Sequence, residues 1–331
     1  DPAFRVRKAT ASNFAEISRV VGDAYVLKRL IPAFAQLVHD AHWGVRKAAA
    51  ESLVSLAMSI LAEKRREALV PFINDLLKDS SRWVRMSALQ QLGYFIASLE
   101  ASERVPEGLL TQYVEVIQQS KANPDAADIS FHCAYTFAAV TQTMGKEGWP
   151  QLKAPFASLC TDPQFKTRKA MAASMHIVAQ TLGADVTEQE VLPQFEYLLQ
   201  DASHEVRLSA LKNVASILRV APGTVPQRRA LKALHSSMNK ADNWRTRQLA
   251  GGQLGPICAA LLAAPEPVPG DDHEDPVQRE KAASAAAAAA WAEGEGSSSP
   301  SKRQKAAAAK DLTWSVIVPL FLQLCGDAVA Q

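Results

Sequence analysis

The chain has 331 residues, of which 48% are apolar, and its 36 basic side chains nearly balance its 34 acidic ones. A formal net charge of +2 does not favour nucleic acid or a membrane surface as the partner. No apolar run is long enough to span a bilayer, and the 4 cysteines lack paired spacing, which favours a reduced intracellular setting over a disulfide framework.

One pattern recurs along the chain and predicts a repeat architecture. Four aspartates each precede an arginine by six residues: Asp40 and Arg46, Asp79 and Arg85, Asp162 and Arg168, and Asp201 and Arg207. A proline lies seven or eight residues before each aspartate, and Arg7, Arg46 and Arg85 are spaced by 39. A fixed period near 40 residues is typical of a helical repeat array.

Residues 24–61 show what one repeat contains. Apolar residues at steps of three and four predict one helix from Val26 to Val38 and a second from Val45 to Ile60. The connection is so short that the two helices must pack antiparallel, and their remaining apolar faces need neighbouring repeats. The spacing of proline, aspartate and arginine resembles the HEAT repeat signature. We therefore predict an all-α, right-handed α–α superhelix, that is, a HEAT-repeat solenoid.

The signature residues have predicted structural roles. Asp40 is expected to accept hydrogen bonds from the amides that open the second helix. Arg46 can reach the aspartate of its own repeat or that of an adjacent one. Pro32 interrupts the first helix, so a kink is expected there.

The repeats do not fill the whole chain. Residues 1–100 are predicted to be HEAT repeats, the first one incomplete, and residues 129–263 to be further repeats. Residues 101–128 contain polar breaks around one helix and form a degenerate repeat or a seam. Residues 264–310 are predicted to be a low-complexity disordered insert, and residues 311–331 the first helix of a truncated repeat. These incomplete repeats predict an internal part of a longer protein.

The sequence offers little for catalysis. His39 and His42 flank Asp40 and could hold a metal, but they are better explained as solvated turn residues. His132 and Cys133 are adjacent and point to different sides of a helix, which does not suit a thiolate–base pair. The sequence contains no nucleophile elbow, phosphate loop, HExxH or CxxC motif. We therefore predict a non-enzyme that uses no metal or cofactor.

Aromatic and basic residues cluster where each predicted second helix begins. The candidate partner-binding residues are Trp43, Arg46, Lys47, Arg82, Trp83, Arg85, Phe165, Arg168, Lys169, Trp244, Arg245 and Arg247. In one interpretation the rings close the apolar seam between repeats and the arginines form a structural ladder with the aspartates. In the other, one edge of the solenoid presents residue types that dominate interface hot spots to a protein with an acidic rim. The two interpretations are compatible, since a ring can pack on one side and be exposed on the other.

Several segments resemble one family of helical-repeat proteins. They are Phe4-Arg5-Val6-Arg7-Lys8-Ala9, Trp43-Gly44-Val45-Arg46-Lys47-Ala48, Ser81-Arg82-Trp83-Val84-Arg85, His132-Cys133-Ala134-Tyr135 and Asn243-Trp244-Arg245-Thr246-Arg247. In this order they are similar to the family of regulatory subunit 1 of serine/threonine protein phosphatase 4, which is related to the phosphatase 2A scaffold subunit. The resemblance covers residues 1–99 and 129–263. The family's long acidic segment is shortened here to residues 101–128, and the insert at 265–310 has no counterpart.

The resemblance implies a non-catalytic scaffold or regulatory subunit. Such a subunit binds a phosphatase 2A-like catalytic subunit, that of phosphatase 4, and directs it to phosphoprotein substrates. The alternatives are a karyopherin-like nuclear transport adaptor or another HEAT-repeat interaction scaffold, and neither nucleic acid nor a membrane is an expected partner. A cytoplasmic location is expected, and the basic cluster Lys302-Arg303-Gln304-Lys305 beside Ser299-Pro300 gives nuclear import as an alternative.

Overall fold

The computed structural model describes residues 1–99, 105–120, 127–221, 224–239 and 244–262, and regular structure in these ranges is entirely helical. The chain divides into two compact units, residues 1–167 and 168–331, and each is described by itself. The predicted insert 264–310 and the predicted helix 311–331 lie outside the described residues.

Most helices of unit 1 are those that the periodicity predicts. In chain order they are α1 (Phe4–Ser12), α2 (Phe14–Val21), α3 (Asp23–Tyr25), a π-helical turn (Val26–Leu30), α4 (Ile31–Val38), α5 (Trp43–Ala57), α6 (Ala62–Leu77), α7 (Arg82–Ser98), α8 (Glu107–Ser120), α9 (Ala127–Met144), a 3-10 turn (Lys146–Gly148) and α10 (Trp149–Cys160). Helix α11 (Phe165–Leu182) begins in unit 1 and continues into unit 2.

Unit 2 repeats the same kind of hairpin. Its further helices are α12 (Ala184–Val186), a π-helical turn (Thr187–Val191), α13 (Leu192–Leu199), α14 (His204–Leu211), α15 (Val214–Val220), α16 (Thr224–Asn239) and α17 (Trp244–Leu262). Within this unit α13 packs against α14 and α16, and α17 packs against α14, α15 and α16.

Unit 1 consists of two helical layers. Helices α4 and α5, α6 and α7, and α8 and α9 pair as hairpins. The second helices lie side by side, with α5 between α1 and α7 and with α9 against α7. The first helices form the other layer, in which α4 packs against α6 and α8 against α10. The predicted all-α HEAT-repeat fold class is confirmed.

The core runs from one repeat to the next. Phe34 of α4 is fully buried, and its ring lies 5.1 Å from that of Phe14 in α2 and 5.9 Å from that of Phe72 in α6. Each large buried side chain contributes about 1.5–3 kcal/mol by leaving water. Because Phe34 touches the repeats on both sides, one hairpin cannot form this core alone.

The prolines are accommodated in two ways. Pro32 and Pro193 lie at the start of α4 and α13, and a five-residue π-helical turn precedes each of these helices. A wider turn leaves room for the proline ring and for the carbonyl that has lost its N–H donor. Pro71 and Pro155 instead lie inside α6 and α10. The expected interruption of the first helix is thus a π turn that ends at Leu30, two residues before Pro32, and the expected kink itself stays a prediction.

Helices α8 and α9 form a tight hairpin next to α7. The buried hydroxyl of Tyr113 in α8 donates to the carbonyl of Cys133 in α9 at 2.8 Å. Gly93 of α7 lies so close to α9 that a Cβ atom there would be 2.1 Å from Oγ1 of Thr136. A glycine at this position leaves room for the side chain of Thr136. Helix α8 thus packs against α7, α9 and α10. The predicted domain boundary at residues 101–128 stays a prediction.

The described residues contain no helix whose length and hydropathy would let it cross a bilayer.

Candidate protein-interaction edge

An aspartate closes each of four hairpin connections that the structure describes. Oδ1 of Asp40 accepts from the backbone N–H of His42 at 2.8 Å, and Asp79, Asp162 and Asp201 accept in the same way from the residue two positions later at 2.7–2.8 Å. Asp40 was expected to bind amides inside the first turn of the second helix, but it holds the residue before that helix. The aspartate therefore fixes the connection, and the helix begins from it.

Arg46 ties its own connection to the next repeat. Nη1 of Arg46 donates to the carbonyls of Asp40 at 2.8 Å and Ala41 at 3.2 Å. Its Nε and Nη2 donate to the two carboxylate oxygens of Asp79 at 2.6 and 2.9 Å. Of the two possibilities for Arg46, the carboxylate it contacts is that of the adjacent repeat. Its own repeat provides only backbone acceptors.

The same contact recurs and forms an arginine–aspartate ladder. Arg7 binds Asp40 at 2.5 and 3.0 Å, and in unit 2 Arg168 binds Asp201 at 2.6 and 2.9 Å. In each case the two partners are 33 residues apart. Bidentate pairing of a guanidinium with a carboxylate fixes both distance and orientation. The ladder therefore sets the register between successive repeats.

The ladder is interrupted after Arg85. This arginine holds its own connection through Nη1, which donates to the carbonyls of Asp79 at 2.6 Å and Ser80 at 2.9 Å. The residue 33 positions further on is Gln118, which has no carboxylate. Among the described residues the hairpin of α8 and α9 shows no aspartate rung, and contacts such as those of Gly93 hold it against α7.

The ladder shifts the pKa values of its carboxyl groups. The hydrogen bond from Arg7 is the main reason why the pKa of Asp40 lies below its usual range. At Asp79 burial acts to raise the pKa, but the hydrogen bonds from Arg46 and the Ser81 amide outweigh it, so the pKa is also lowered. Both aspartates are therefore ionised wherever the protein is folded at neutral pH.

We expect Asp40→Asn to remove part of the acid sensitivity of the fold. Because the pKa of Asp40 is lower in the folded protein than in the unfolded chain, its ionised form stabilises the fold above about pH 4. This contribution is lost as the pH falls through the folded-state pKa. The difference in free energy of unfolding between wild type and Asp40→Asn should therefore be largest near pH 6–7 and shrink below about pH 3.

Urea unfolding between pH 7 and pH 2.5 measures this difference. Arg7→Met removes the same hydrogen bonds from the other partner and should show the same narrowing toward low pH. A gap between wild type and Asp40→Asn that stays constant over this range would contradict the prediction.

The turn aromatics of unit 1 are packed on one side and exposed on the other. The ring of Phe4 stacks on that of His42 at 3.9 Å with an interplanar angle of 14°, and the His42 and Trp43 centroids are 6.0 Å apart. Phe4 and His42 belong to different repeats, so this stack closes a seam. Trp43 is nevertheless 44% exposed and Trp83 is 61% exposed. Both interpretations of the aromatics fit this geometry.

The basic candidates differ in how far they are already engaged. The guanidinium groups of Arg46 and Arg168 are held in the ladder and are only 15% and 13% exposed. Lys47 pairs with Glu51 one turn later on α5, and in unit 2 Lys169 pairs with Glu205 at 2.5 Å. These arginines stabilise the edge, whereas the lysines lie at its surface.

The remaining candidates lie at the starts of α7, α11 and α17. Arg82 is exposed in the first turn of α7, and Phe165 is 39% exposed at the start of α11. In unit 2 the guanidinium of Arg245 lies 5.5 Å from the ring centre of Trp244, which is 57% exposed, and Arg247 is half-buried. Partner binding by these residues stays a prediction. We call five residues at the surface of unit 1, namely Phe4, Trp43, Lys47, Arg82 and Trp83, the turn edge; four of them are exposed and Lys47 is half-buried.

The histidines of the first connection have structural contacts. Nδ1 of His42 accepts from the amide of Gly44 at 3.1 Å and so caps α5, which corrects its description as a solvated turn residue. His39 is exposed, and its Nε2 lies 3.5 Å from Oδ2 of Asp75. Within the described ranges no three His, Cys, Asp or Glu side chains form a group that could hold a metal ion. Burial raises the pKa of the Cys133 thiol to about 12, so the thiol stays protonated.

A further aspartate–arginine connection, that of Asp1 and Arg7, was missed in the sequence analysis. Oδ1 of Asp1 accepts from the amide of Ala3 at 2.8 Å, and the carbonyls of Asp1 and Pro2 accept from Nη1 of Arg7. This is the arrangement around Asp40 and Arg46. The signal was available, because Asp1 precedes Arg7 by the same six residues.

The fold and a sequence match define a HEAT-repeat protein. Residues 30–60 match the HEAT repeat family. A crystal structure of a Kap121p mutant superposes with a TM-score of 0.54 over 76% of this chain and 25% of that one, at 13% identity, which is a similarity of fold alone.

The more specific similarity is to phosphatase regulatory subunits. Residues 133–237 match the family described as protein phosphatase 4 regulatory subunit 1 middle domain, which confirms the resemblance seen in the sequence over that range. The human serine/threonine-protein phosphatase 4 regulatory subunit 1 is 34% identical over 116 residues, which are 35% of this chain and 12% of the relative. The beta isoform of the human 65 kDa regulatory subunit of serine/threonine-protein phosphatase 2A is 30% identical over 105 residues, which are 30% of this chain and 17% of the relative. The chain thus spans a small part of the length of these relatives.

Proposed function

We propose that this chain is part of a non-catalytic scaffold or regulatory subunit that binds the catalytic subunit of a phosphatase 2A-like enzyme, phosphatase 4, and directs it to phosphoprotein substrates. The observation that carries the proposal is the match of residues 133–237 to the phosphatase 4 regulatory subunit 1 family. The metal ions and the hydrolytic chemistry would belong to the partner. The expected cytoplasmic location is part of the same proposal.

The geometry of unit 1 suits a scaffold. The ladder joins neighbouring repeats through partly buried bidentate ion pairs, which keep the starts of α1, α5 and α7 in register. Exposed rings on so rigid a frame lose little conformational entropy when a partner binds. The helices α1, α5 and α7 have no acidic residue in their first turn, so the turn edge carries only aromatic and basic character there. An acidic surface of a folded protein would complement it.

The alternative of a karyopherin-like nuclear transport adaptor is not favoured. The sequence similarity is to phosphatase regulatory and scaffold subunits, whereas the structural similarity, at 13% identity, extends to the fold only.

Replacing Trp43 and Trp83 together with alanine should weaken binding of purified phosphatase 4 catalytic subunit by about tenfold. Exposed tryptophans at an interface typically contribute more than 1 kcal/mol to binding. Because both rings are about half exposed, the melting temperature should change by less than about 4 °C. Calorimetric titration and thermal unfolding of the same samples measure both quantities.

Met58→Ala combined with Leu61→Ala is the matched control. These two apolar side chains are 60% and 55% exposed, but they lie beyond the other end of α5. The control should bind like wild type. If wild type does not bind the catalytic subunit, the proposed function is wrong. If binding is equal in both double variants, the function stands and the turn edge is not the interface.

A further inference from the structure

Four aromatic rings form a patch on the second-helix layer of unit 1. This aromatic patch consists of Tyr94 on α7 and of Phe131, His132 and Tyr135 on α9. The centroid of the Tyr94 ring lies 6.2 Å from those of His132 and Tyr135. The Phe131 centroid lies 5.8 Å from that of His132 and 6.3 Å from that of Tyr135. The rings therefore touch one another across two adjacent helices.

The aromatic patch is not buried in the hydrophobic core. On α9 the inward side chains Cys133, Ala134 and Phe137 are buried, whereas Tyr135 is 62% exposed. The other three rings of the patch are half-buried. Contiguous exposed aromatic surface of this kind commonly marks an interaction site. Phe131 and Tyr135 are the fifth and ninth residues of α9. The fifth and ninth residues of α5 are instead the charged pair Lys47 and Glu51.

The charges around the patch favour a cation. The carboxylate of Asp128 lies one turn before His132 on α9, and α9 contains no lysine or arginine. The faces of aromatic rings carry the negative part of the ring quadrupole, so they add to the negative potential of this carboxylate. On α7 the arginine nearest in sequence to Tyr94 is Arg85, nine residues earlier and so about 13 Å away along the helix axis. It donates to the carbonyls of its own connection.

The His132 ring carries no positive charge that would repel a bound cation. Its Nδ1 atom is buried and has no hydrogen-bond partner within the part of the chain that the structure describes. Burial lowers the pKa of His132 despite the nearby Asp128 carboxylate, so the ring is neutral at pH 7. Burial and the proximity of Tyr135 raise the pKa of Tyr94, so its hydroxyl is also neutral.

We propose that the aromatic patch binds an arginine side chain presented by a partner protein. A guanidinium is planar, stacks on tyrosine and phenylalanine rings, and is less strongly hydrated than an ammonium, so arginine fits this surface better than lysine. Asp128 provides the opposite charge. The turn edge and the aromatic patch thus recognise opposite charges. The inference does not depend on which phosphatase subunit the turn edge binds.

The peptide N-acetyl-Gly-Arg-Gly-amide is the probe, and the same peptide with citrulline is its neutral counterpart. Each is titrated into the full chain with labelled tyrosine rings, and the ring resonances are followed by NMR. We expect the arginine peptide to shift the resonances of Tyr94 and Tyr135 and to bind at least about threefold more tightly than the citrulline peptide.

Two variants and one control test the residues. Tyr135→Ala should weaken binding of the arginine peptide about threefold and Asp128→Asn about twofold. Both side chains are exposed, so the fold should be kept, as far-UV circular dichroism would verify. Tyr197→Ala removes a tyrosine that is 52% exposed in unit 2 and should change nothing. Equal binding of the citrulline peptide, or unchanged affinity in both Tyr135→Ala and Asp128→Asn, would overturn the proposal.

Discussion

Replacing Asp79 with alanine is expected to lower the free energy of unfolding of unit 1 by about 3 kcal/mol, because it leaves a largely buried arginine without its partner. The side chains of Arg46 and Asp79 are only 15% and 8% exposed, so water cannot fully replace the lost carboxylate. The same change also removes the acceptor of the Ser81 amide. Urea unfolding at pH 7, followed by circular dichroism, measures the loss.

Asp75→Ala is the control on the same helix. Asp75 is 54% exposed, and its carboxylate lies 3.5 Å from Nε2 of His39, which is also exposed, so the loss should stay below about 0.5 kcal/mol. The double variant Arg46→Met with Asp79→Leu should recover part of the loss, because no charge is then left unpaired. Losses of the same size in Asp79→Ala and Asp75→Ala would show that the ladder does not stabilise the array.

Phe137→Ala is expected to destabilise unit 1 by about 4 kcal/mol. Phe137 of α9 is fully buried, and its ring lies 5.7 Å from that of Phe156 in α10. The substitution removes this apolar surface and leaves a cavity between helices that are already closely packed. In the part of the α8–α9 hairpin that the structure describes there is no aspartate rung, so we expect its stability to depend on such apolar contacts. Equilibrium unfolding in urea measures the change.

Phe131→Ala provides the comparison on the same helix. Phe131 is half-buried in the aromatic patch, so its loss should cost about 1 kcal/mol. If Phe137→Ala costs no more than Phe131→Ala, then α9 is not a structural part of the repeat stack.

Much of the fold was predictable from local patterns. The 39-residue spacing of Arg7, Arg46 and Arg85 predicted the repeats, and apolar residues at steps of three and four predicted the two helices of each. The repeat spacing is found by comparing successive segments of the sequence, and the helical pattern by comparing neighbours within one helix, so neither requires knowledge of the packing. The position of the turn aromatics was also predictable, since Trp43 and Trp83 lie where the second helices begin, whereas their exposure was one of two interpretations.

The spacing of the residues did not show whether each repeat arginine binds the aspartate of its own repeat or that of the adjacent repeat. Arg46 is six residues from Asp40 and 33 residues from Asp79, and the carboxylate it binds is the distant one. That choice depends on how far each hairpin is displaced from the next, which is a property of the stack. The π turn that precedes α4 was not predicted from the sequence either, since Pro32 indicated only an interruption of the helix.

The sequence by itself determined that this chain is built of helical hairpins with charged and aromatic connections, because helix periodicity and turn chemistry act over a few residues. The tertiary structure decided which distant residues meet. Tyr94 and Tyr135 share a patch because α7 lies against α9, and Gly93 permits that contact because its missing side chain leaves room for Thr136. Such contacts follow from the distance and angle between whole helices, which no short stretch of sequence contains.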